Sequence, residues 1–347
     1  MLSDPSALTF PKLSPLVVPF PSFGLVYPES SPFHKRTHVY IKQMTPLEED
    51  VLLSETNYRD GSLVNKLVYS AIVDPVATYD DVVELVSGDK EAILLALRVT
   101  GYGQQLNFKI PCPGCEADKE MDIDLGATEI QELGGNFGPE NSGLLEVGVN
   151  LFEVTLPLSK KRVEFKLPTG IELTRGAEDE NIPRSLRAVI GNVCSIDGTT
   201  DKEQITNILL SLKIKDSSAL RIFFNAIKPY VDINYTFLCD SCGHKEAVWF
   251  PCNNTIFHIQ PKDREMIWLE PYFLLGYYFG MDWNTYLQYP VFYRKWLIER
   301  INKEIKSASE QGADIPSKAP HDNTAEIRHL SNKMKQNVTS AKLQRFT

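Results

Sequence analysis

Apolar and polar positions alternate in two matching places along the chain. Residues 106–110, with Leu106, Phe108 and Ile110 on one face, and residues 121–125 read as the two arms of one β-hairpin; residues 233–238 and 247–251 read as the arms of another. Each hairpin follows a helical pattern opened by an aspartate, Asp89 or Asp216, which the sequence places as N-cap. Between the two patterns, Gly134, Gly135, Gly138, Pro139 and Gly143 mark a loop, and residues 144–156 followed by 162–167 read as a further hairpin. The pattern predicts an α+β chain.

The tip of each cysteine hairpin carries a Cys-x-x-Cys pair, Cys112 with Cys115 and Cys239 with Cys242. Sliding the chain by the 127 residues that separate Cys112 from Cys239 superposes both pairs and, without a gap, Asp89 on Asp216. Further upstream, with small insertions, Ala71-Ile72-Val73-Asp74-Pro75 falls on Cys194-Ser195-Ile196-Asp197-Gly198, and Val39-Tyr40-Ile41-Lys42 on Val163-Glu164-Phe165-Lys166. Two duplicated α+β modules are therefore expected, each with a β-rich start, a helix ending near an Ile-Asp turn, two more helices and a Cys-x-x-Cys hairpin. Convergence of two unrelated α+β domains is the alternative.

The flanks differ from the modules. Residues 1–32 hold Pro5, Pro11, Pro15, Pro19, Pro21, Pro28 and Pro32 among apolar residues, and read as an extended arm lying on a neighbouring surface of this chain or another subunit. The first module then takes residues 33–130, a linker 131–147 and the second module 148–260. Residues 261–307 form an aromatic helical subdomain, with a helix over 263–279 broken at Pro271 and ended at Gly280, a short helix capped by Asp282, and a longer one from Pro290 to about 307. Trp283, Tyr286, Tyr289, Phe292, Tyr293, Arg294 and Trp296 cluster there, and aromatic and arginine residues are what protein interfaces concentrate, so these seven are candidate partner-binding residues. Residues 308–347 read as a polar linker and a tail in which Arg328, Lys333, Lys335, Lys342 and Arg345 outnumber Glu326; residues 324–335 suit a helix formed on a partner.

Composition narrows the function classes. With 43% hydrophobic residues in 347 the chain can build more than one core, which fits two modules plus appendages. No apolar run approaches the roughly 20 residues of a membrane-spanning helix, and the first residues lack the basic-then-apolar order of a signal peptide, so no membrane is expected and assembly belongs in a reducing cytoplasm. A net charge of −9 argues against generic nucleic-acid binding. Around the cysteine turns Glu116, Asp118, Glu120, Asp122, Asp124, Asp240 and Glu246 outnumber Lys109, Lys119 and Lys245, which also weighs against the alternative function, a zinc-ribbon protein of nucleic-acid binding or transcription.

In a reducing compartment Cys-x-x-Cys spacing favours metal over disulfide. Zn²⁺ takes four tetrahedral ligands, and a Cys-x-x-Cys turn brings two thiolates onto one ion. Cys112, Cys115, Cys239 and Cys242 are thus expected to share one structural Zn²⁺, a zinc-ribbon-like site with half of its ligands from each module and no open position for substrate. Two separate sites would need extra ligands; His244 offers one, but Ala117 stands in its place in the first module. Cys194 and Cys252 read as small buried hydrophobes. No phosphate loop, His-Glu-x-x-His or Gly-x-Ser-x-Gly occurs, and six scattered histidines offer no acid-base constellation, so no enzyme is expected.

The order of several segments resembles the baseplate hub subunit family of T-even-type contractile-tailed bacteriophages (myoviruses). It is carried by Pro21-Ser22-Phe23-Gly24-Leu25-Val26-Tyr27-Pro28, by Met44-Thr45-Pro46-Leu47-Glu48-Glu49, by the Ile-Asp turn, the aspartate-led helix and the cysteine hairpins, and most by Met281-Asp282-Trp283 through Tyr289-Pro290-Val291-Phe292-Tyr293-Arg294-Lys295-Trp296-Leu297. The resemblance implies a virion tail-baseplate protein, structural or assisting tail assembly, whose partners are other baseplate and hub subunits.

Overall fold

The computed structural model of the protein describes residues 14–134, 149–169 and 189–310. Outside these lie the first 13 residues of the expected arm, most of the glycine-rich loop, the opening of the 144–156 hairpin, the acidic run Glu178-Asp179-Glu180, most of the polar linker and the basic tail. The described residues form two compact units: one reaches to Asp263 and takes in Pro290–Phe292, and the other comprises Arg264–Tyr289 and the described residues from Tyr293 to Glu310.

The first unit is mixed α and β. It opens with an antiparallel sheet of β1 (Leu16–Pro19), β2 (His38–Ile41) and β3 (Ile72–Asp74), with Val18 opposite Val39. Helices follow at Pro46–Leu52, Glu55–Arg59, Leu63–Ala71, Tyr79–Val83 and Ser87–Tyr102. Thr45 starts the first of them as a capping box with Glu48. The long Ser87–Tyr102 helix packs against the Leu63–Ala71 helix and β1, and its Ile93, Leu94 and Leu97 are buried, as are Leu67, Val68, Phe20 and Phe33. It leads into the hairpin of β4 (Gln105–Pro111) and β5 (Asp118–Asp124), and then into β6 (Glu129–Gln131).

The order recurs downstream. Strands β7 (Phe152–Thr155), β8 (Arg162–Phe165) and β9 (Val193–Ile196) form a second three-stranded sheet, and helices Lys202–Ser211 and Ile214–Ile227 lead to the hairpin of β10 (Tyr230–Leu238) and β11 (Lys245–Phe250). In each three-stranded sheet the middle strand meets the third with a register shift at the same place, between Tyr40 and Ile41 and between Glu164 and Phe165. Strand β10 also pairs with β6, Tyr230 opposite Gln131, so the two halves share one sheet.

Four expectations change here. Leu16–Pro19 is a strand and Phe20, Val26 and Tyr27 are buried, so the later part of the expected arm belongs to the first sheet and its core; a proline is tolerated there because β1 is an edge strand. Asp89 and Asp216 are not N-caps but the third residues of their helices, whose caps are Val86 and Lys213. The two Ile-Asp stretches are not equivalent: the helix Leu63–Ala71 ends directly before β3, in which Asp74 pairs, whereas Asp197 follows β9 in a turn at φ +50°, so the register proposed for that stretch is two residues out. Cys194 is only half-buried, on β9, while Cys252 is buried and its thiol donates to the Glu91 carbonyl.

In the second unit one helix runs without a break from residue 264 to 279. Its first part is a π turn, Glu265–Leu269, in which Glu270 N–H donates to the Glu265 carbonyl. The wider winding accommodates Pro271, whose ring would otherwise press on the preceding turn, and this is why the expected break is absent. Gly280 ends the helix in the left-handed region, and Asp282 caps Trp283–Gln288 by accepting from Asn284 and Thr285 N–H. The last helix, Val291–Glu310, runs three residues into the stretch expected to be linker. Leu275, Tyr286 and Ile301 form this unit's core, with Tyr272, Leu297, Ile298 and Ile305 against it.

Candidate metal centre

The two cysteine hairpins are built alike, strand by strand. Phe108 faces Met121 across the first, and Tyr235 faces Val248 across the second, so both share one register about their turns. At the first tip Cys112 N–H donates to the Ala117 carbonyl (3.0 Å) and Glu116 N–H to the Cys112 carbonyl (2.8 Å). The same pair recurs at the second, Cys239 N–H to His244 (2.9 Å) and Gly243 N–H to Cys239 (2.8 Å). These bonds close each turn and force a left-handed residue, Glu116 at φ +58° and Gly243 at φ +72°. Only the second turn uses glycine at that position, where it is free of strain.

The hairpins pack face to face. Cys112, Met121, Phe237 and Cys239 are buried together, and Phe108, Ile110, Tyr235, Val248 and Phe250 close round them; the Phe108 and Phe250 rings meet edge to face at 4.8 Å. At the tips, Lys119 of the first hairpin pairs with Asp240 of the second. Gly114 lies so close to the opposite turn that a Cβ there would stand 3.3 Å from Cys242 Sγ and 3.3 Å from His244 Cβ. Neither the ion pair nor the close approach was read from the sequence, although Pro113-Gly114 marks the tightest part of the turn.

This packing brings all four cysteines together, with their Sγ atoms within 4.8 Å of one another. Two close pairs cross between the turns: Cys112 to Cys242 and Cys115 to Cys239, each 3.7 Å. A disulfide would need about 2 Å, and all six cysteines are free thiols. Four sulfurs each about 2.3 Å from a central Zn²⁺ would stand about 3.8 Å apart at tetrahedral angles. The cluster therefore fits a metal ion in spacing and in donor type.

Electrostatics point the same way. Backbone N–H groups aim at sulfur, Gly114 N–H at Cys112 (3.3 Å) and those of Cys242 and Ser241 at Cys239. Led by the Cys242 N–H, with the Ser241 N–H and the Cys112 and Cys115 thiols, hydrogen bonding pulls the Cys239 thiol down to about 6 against the opposing effect of burial. Cys242 is pushed up to about 12: the His244 N–H, its largest single influence, acts to lower it, but burial and the neighbouring sulfurs of Cys115, Cys112 and Cys239 together outweigh that. Thiols this close cannot all ionise unless a cation shares the space. His244 stands apart, its Nε2 3.4 Å from Glu246.

The seven aromatic-cluster residues divide. Tyr286 is fully buried; its hydroxyl donates to the Trp268 carbonyl (2.6 Å) and accepts from Arg294 (2.9 Å), which is itself buried. These two are core, because Arg294 shares the inner stripe of its helix with Ile298, Ile301 and Ile305, a spacing legible in the sequence. Trp283, Phe292, Tyr293 and Trp296 are exposed, and Tyr289 is half-buried. No helix among the described residues is long and apolar enough to cross a membrane.

No curated protein and no solved structure is significantly similar to the chain. A family model described as T4 bacteriophage base plate protein matches residues 30–258. The match takes in both halves and all four cysteines, and stops short of the aromatic segment 281–297 on which the resemblance leaned most. Matched over well more than half of its length, the chain belongs to the T4 bacteriophage base plate protein family.

Proposed function

We propose that the protein is a structural or assembly subunit of a contractile-tail baseplate, at or beside the hub, and that its two halves are copies of one module clasped by a single structural Zn²⁺. Family membership supports the baseplate role. The observation that carries the clasp is the crossed pairing of sulfurs, since each 3.7 Å contact takes one cysteine from each hairpin. Support for duplication comes from the common hairpin register, the turn hydrogen bonds repeated 127 residues on, and the matching shift in the two three-stranded sheets.

Cys112, Cys115, Cys239 and Cys242 would hold the ion, whose chemistry here is to bind four thiolates at once and leave no site for substrate. Its effect is mechanical: the hairpins, and through β6–β10 the two halves, are fixed at one angle. Trp283, Tyr289, Tyr293 and Trp296, all in the second unit, then offer a contact surface to other tail or baseplate subunits. Purified virions and tail-assembly intermediates test the role: the protein is expected in one or both, and its absence from both would overturn it. Trp296→Ser should leave the fold intact and reduce incorporation, whereas unchanged incorporation would remove this surface from the proposal.

A further inference from the structure

The helix of residues 264–279 is apolar on two sides. Its inner side, with Tyr272, Leu275 and Tyr278, faces the core of its unit. Its outer side carries Met266, Leu269, Phe273 and Tyr277, which are 67%, 44%, 64% and 47% exposed. A helix that is apolar all round is normally covered all round. The charged residues exposed beside the outer stripe are Glu265 and Glu270, both acidic.

One stretch of the same chain has the matching pattern. Ile327, Leu330, Met334 and Val338 recur at steps of three, four and four, the same steps as Met266, Leu269, Phe273 and Tyr277. Arg328, Lys333 and Lys335 flank them, against Glu326 alone. Two stripes with this repeat can interlock as packed helices, and basic flanks complement Glu265 and Glu270. The tether is long enough: the last described helix ends at Glu310, and the 16 residues from 311 to 326 span up to about 50 Å when extended. The Val291–Glu310 helix that must be retraced is about 30 Å long.

We propose that the outer stripe Met266–Leu269–Phe273–Tyr277 is the docking face for this chain's own C-terminal segment, residues 324–338. Docked, the segment would cover the stripe and neutralise its acidic margin; released, it would expose an apolar helix face on a baseplate-family protein. Phe273 and Met266 are exposed enough to be changed without disturbing the core.

Limited trypsin digestion of the full chain at low micromolar concentration, read by mass spectrometry, tests this. Cleavage after Arg328, Lys333 and Lys335 should be slow in the wild type and at least about tenfold faster in the double variant Met266→Ser/Phe273→Ser. Leu330→Ser should produce the same acceleration from the other partner, while cleavage after Lys318 and the helical circular dichroism of the folded units stay unchanged. Three outcomes would each overturn the proposal: wild-type cleavage at these sites as fast as at Lys318, protection indifferent to both variants, or protection lost on dilution, which would mean a neighbouring copy.

Discussion

Asp89 and Asp216 occupy the same place in the two halves, third in the long helix that precedes each cysteine hairpin, and both are shielded from solvent. Each holds the helix start to the turn joining the first two strands of its sheet. Their partners differ. Asp89 accepts from Ser22 N–H (2.9 Å), the Ser22 hydroxyl (2.5 Å) and the Tyr27 hydroxyl (2.5 Å). Asp216 accepts from two backbone groups, Leu158 N–H (2.8 Å) and Ser159 N–H (3.0 Å). Burial raises Asp89 to about 6 against the lowering pull of Ser22 and Tyr27. At Asp216 burial also raises the carboxyl, but the Leu158 and Ser159 donors and the charge of Lys213 win, and it lies below its ordinary value. A shared position in the fold therefore does not fix the electrostatics; the donors that the turn supplies do.

Replacing each aspartate by alanine sharpens this contrast. Asp89→Ala should cost about 3 kcal/mol of unfolding free energy, because the buried Ser22 and Tyr27 donors lose their acceptor. Asp216→Ala should cost less, since two backbone N–H groups at a turn lie nearer to solvent. Equal losses in denaturant titrations would show that the identity of the donors does not matter.

Acid should act on the two in opposite directions. Asp89 binds its proton more tightly folded than unfolded, so its contribution grows as pH falls through about 6 towards its ordinary value near 4. The stability gap between wild type and Asp89→Asn should widen by about 1.4 kcal/mol between pH 7.5 and pH 5. Asp216 is depressed, so its contribution is complete above the ordinary carboxylate value and is lost as pH falls through the lower folded value. The gap for Asp216→Asn should hold steady to about pH 5 and then shrink. Parallel pH profiles would contradict this account.

The smallest effect is expected outside the modules. Trp296→Ser, at a residue 60% exposed, should change stability by no more than about 0.5 kcal/mol. A larger loss would mean that the ring belongs to the core of its unit, as Tyr286 does.

These differences show what the sequence carried. Cysteine spacing, hairpin arms and the common offset of the two cysteine hairpins were legible, because strand alternation and a closed turn fix side-chain direction within a few residues. Asp89 was recognised as a helix-start residue but placed as cap, since Ser22 and Tyr27, its actual partners, lie more than sixty residues away. Proline content misled at Leu16–Pro19, where pairing with β2 outweighs local propensity. Residue type misled at Arg294, a charged side chain held in the core by the Tyr286 hydroxyl.

The crossed cysteine pairs predict one metal held by both halves. Zinc content of the purified full chain, paired with absorption spectroscopy of its sulfur ligands, should give one Zn²⁺ per chain bound by four thiolates. Cys112→Ser and Cys239→Ser should each release that same ion. Two ions in the wild type, or an ion retained when either half loses its cysteine, would contradict a shared clasp.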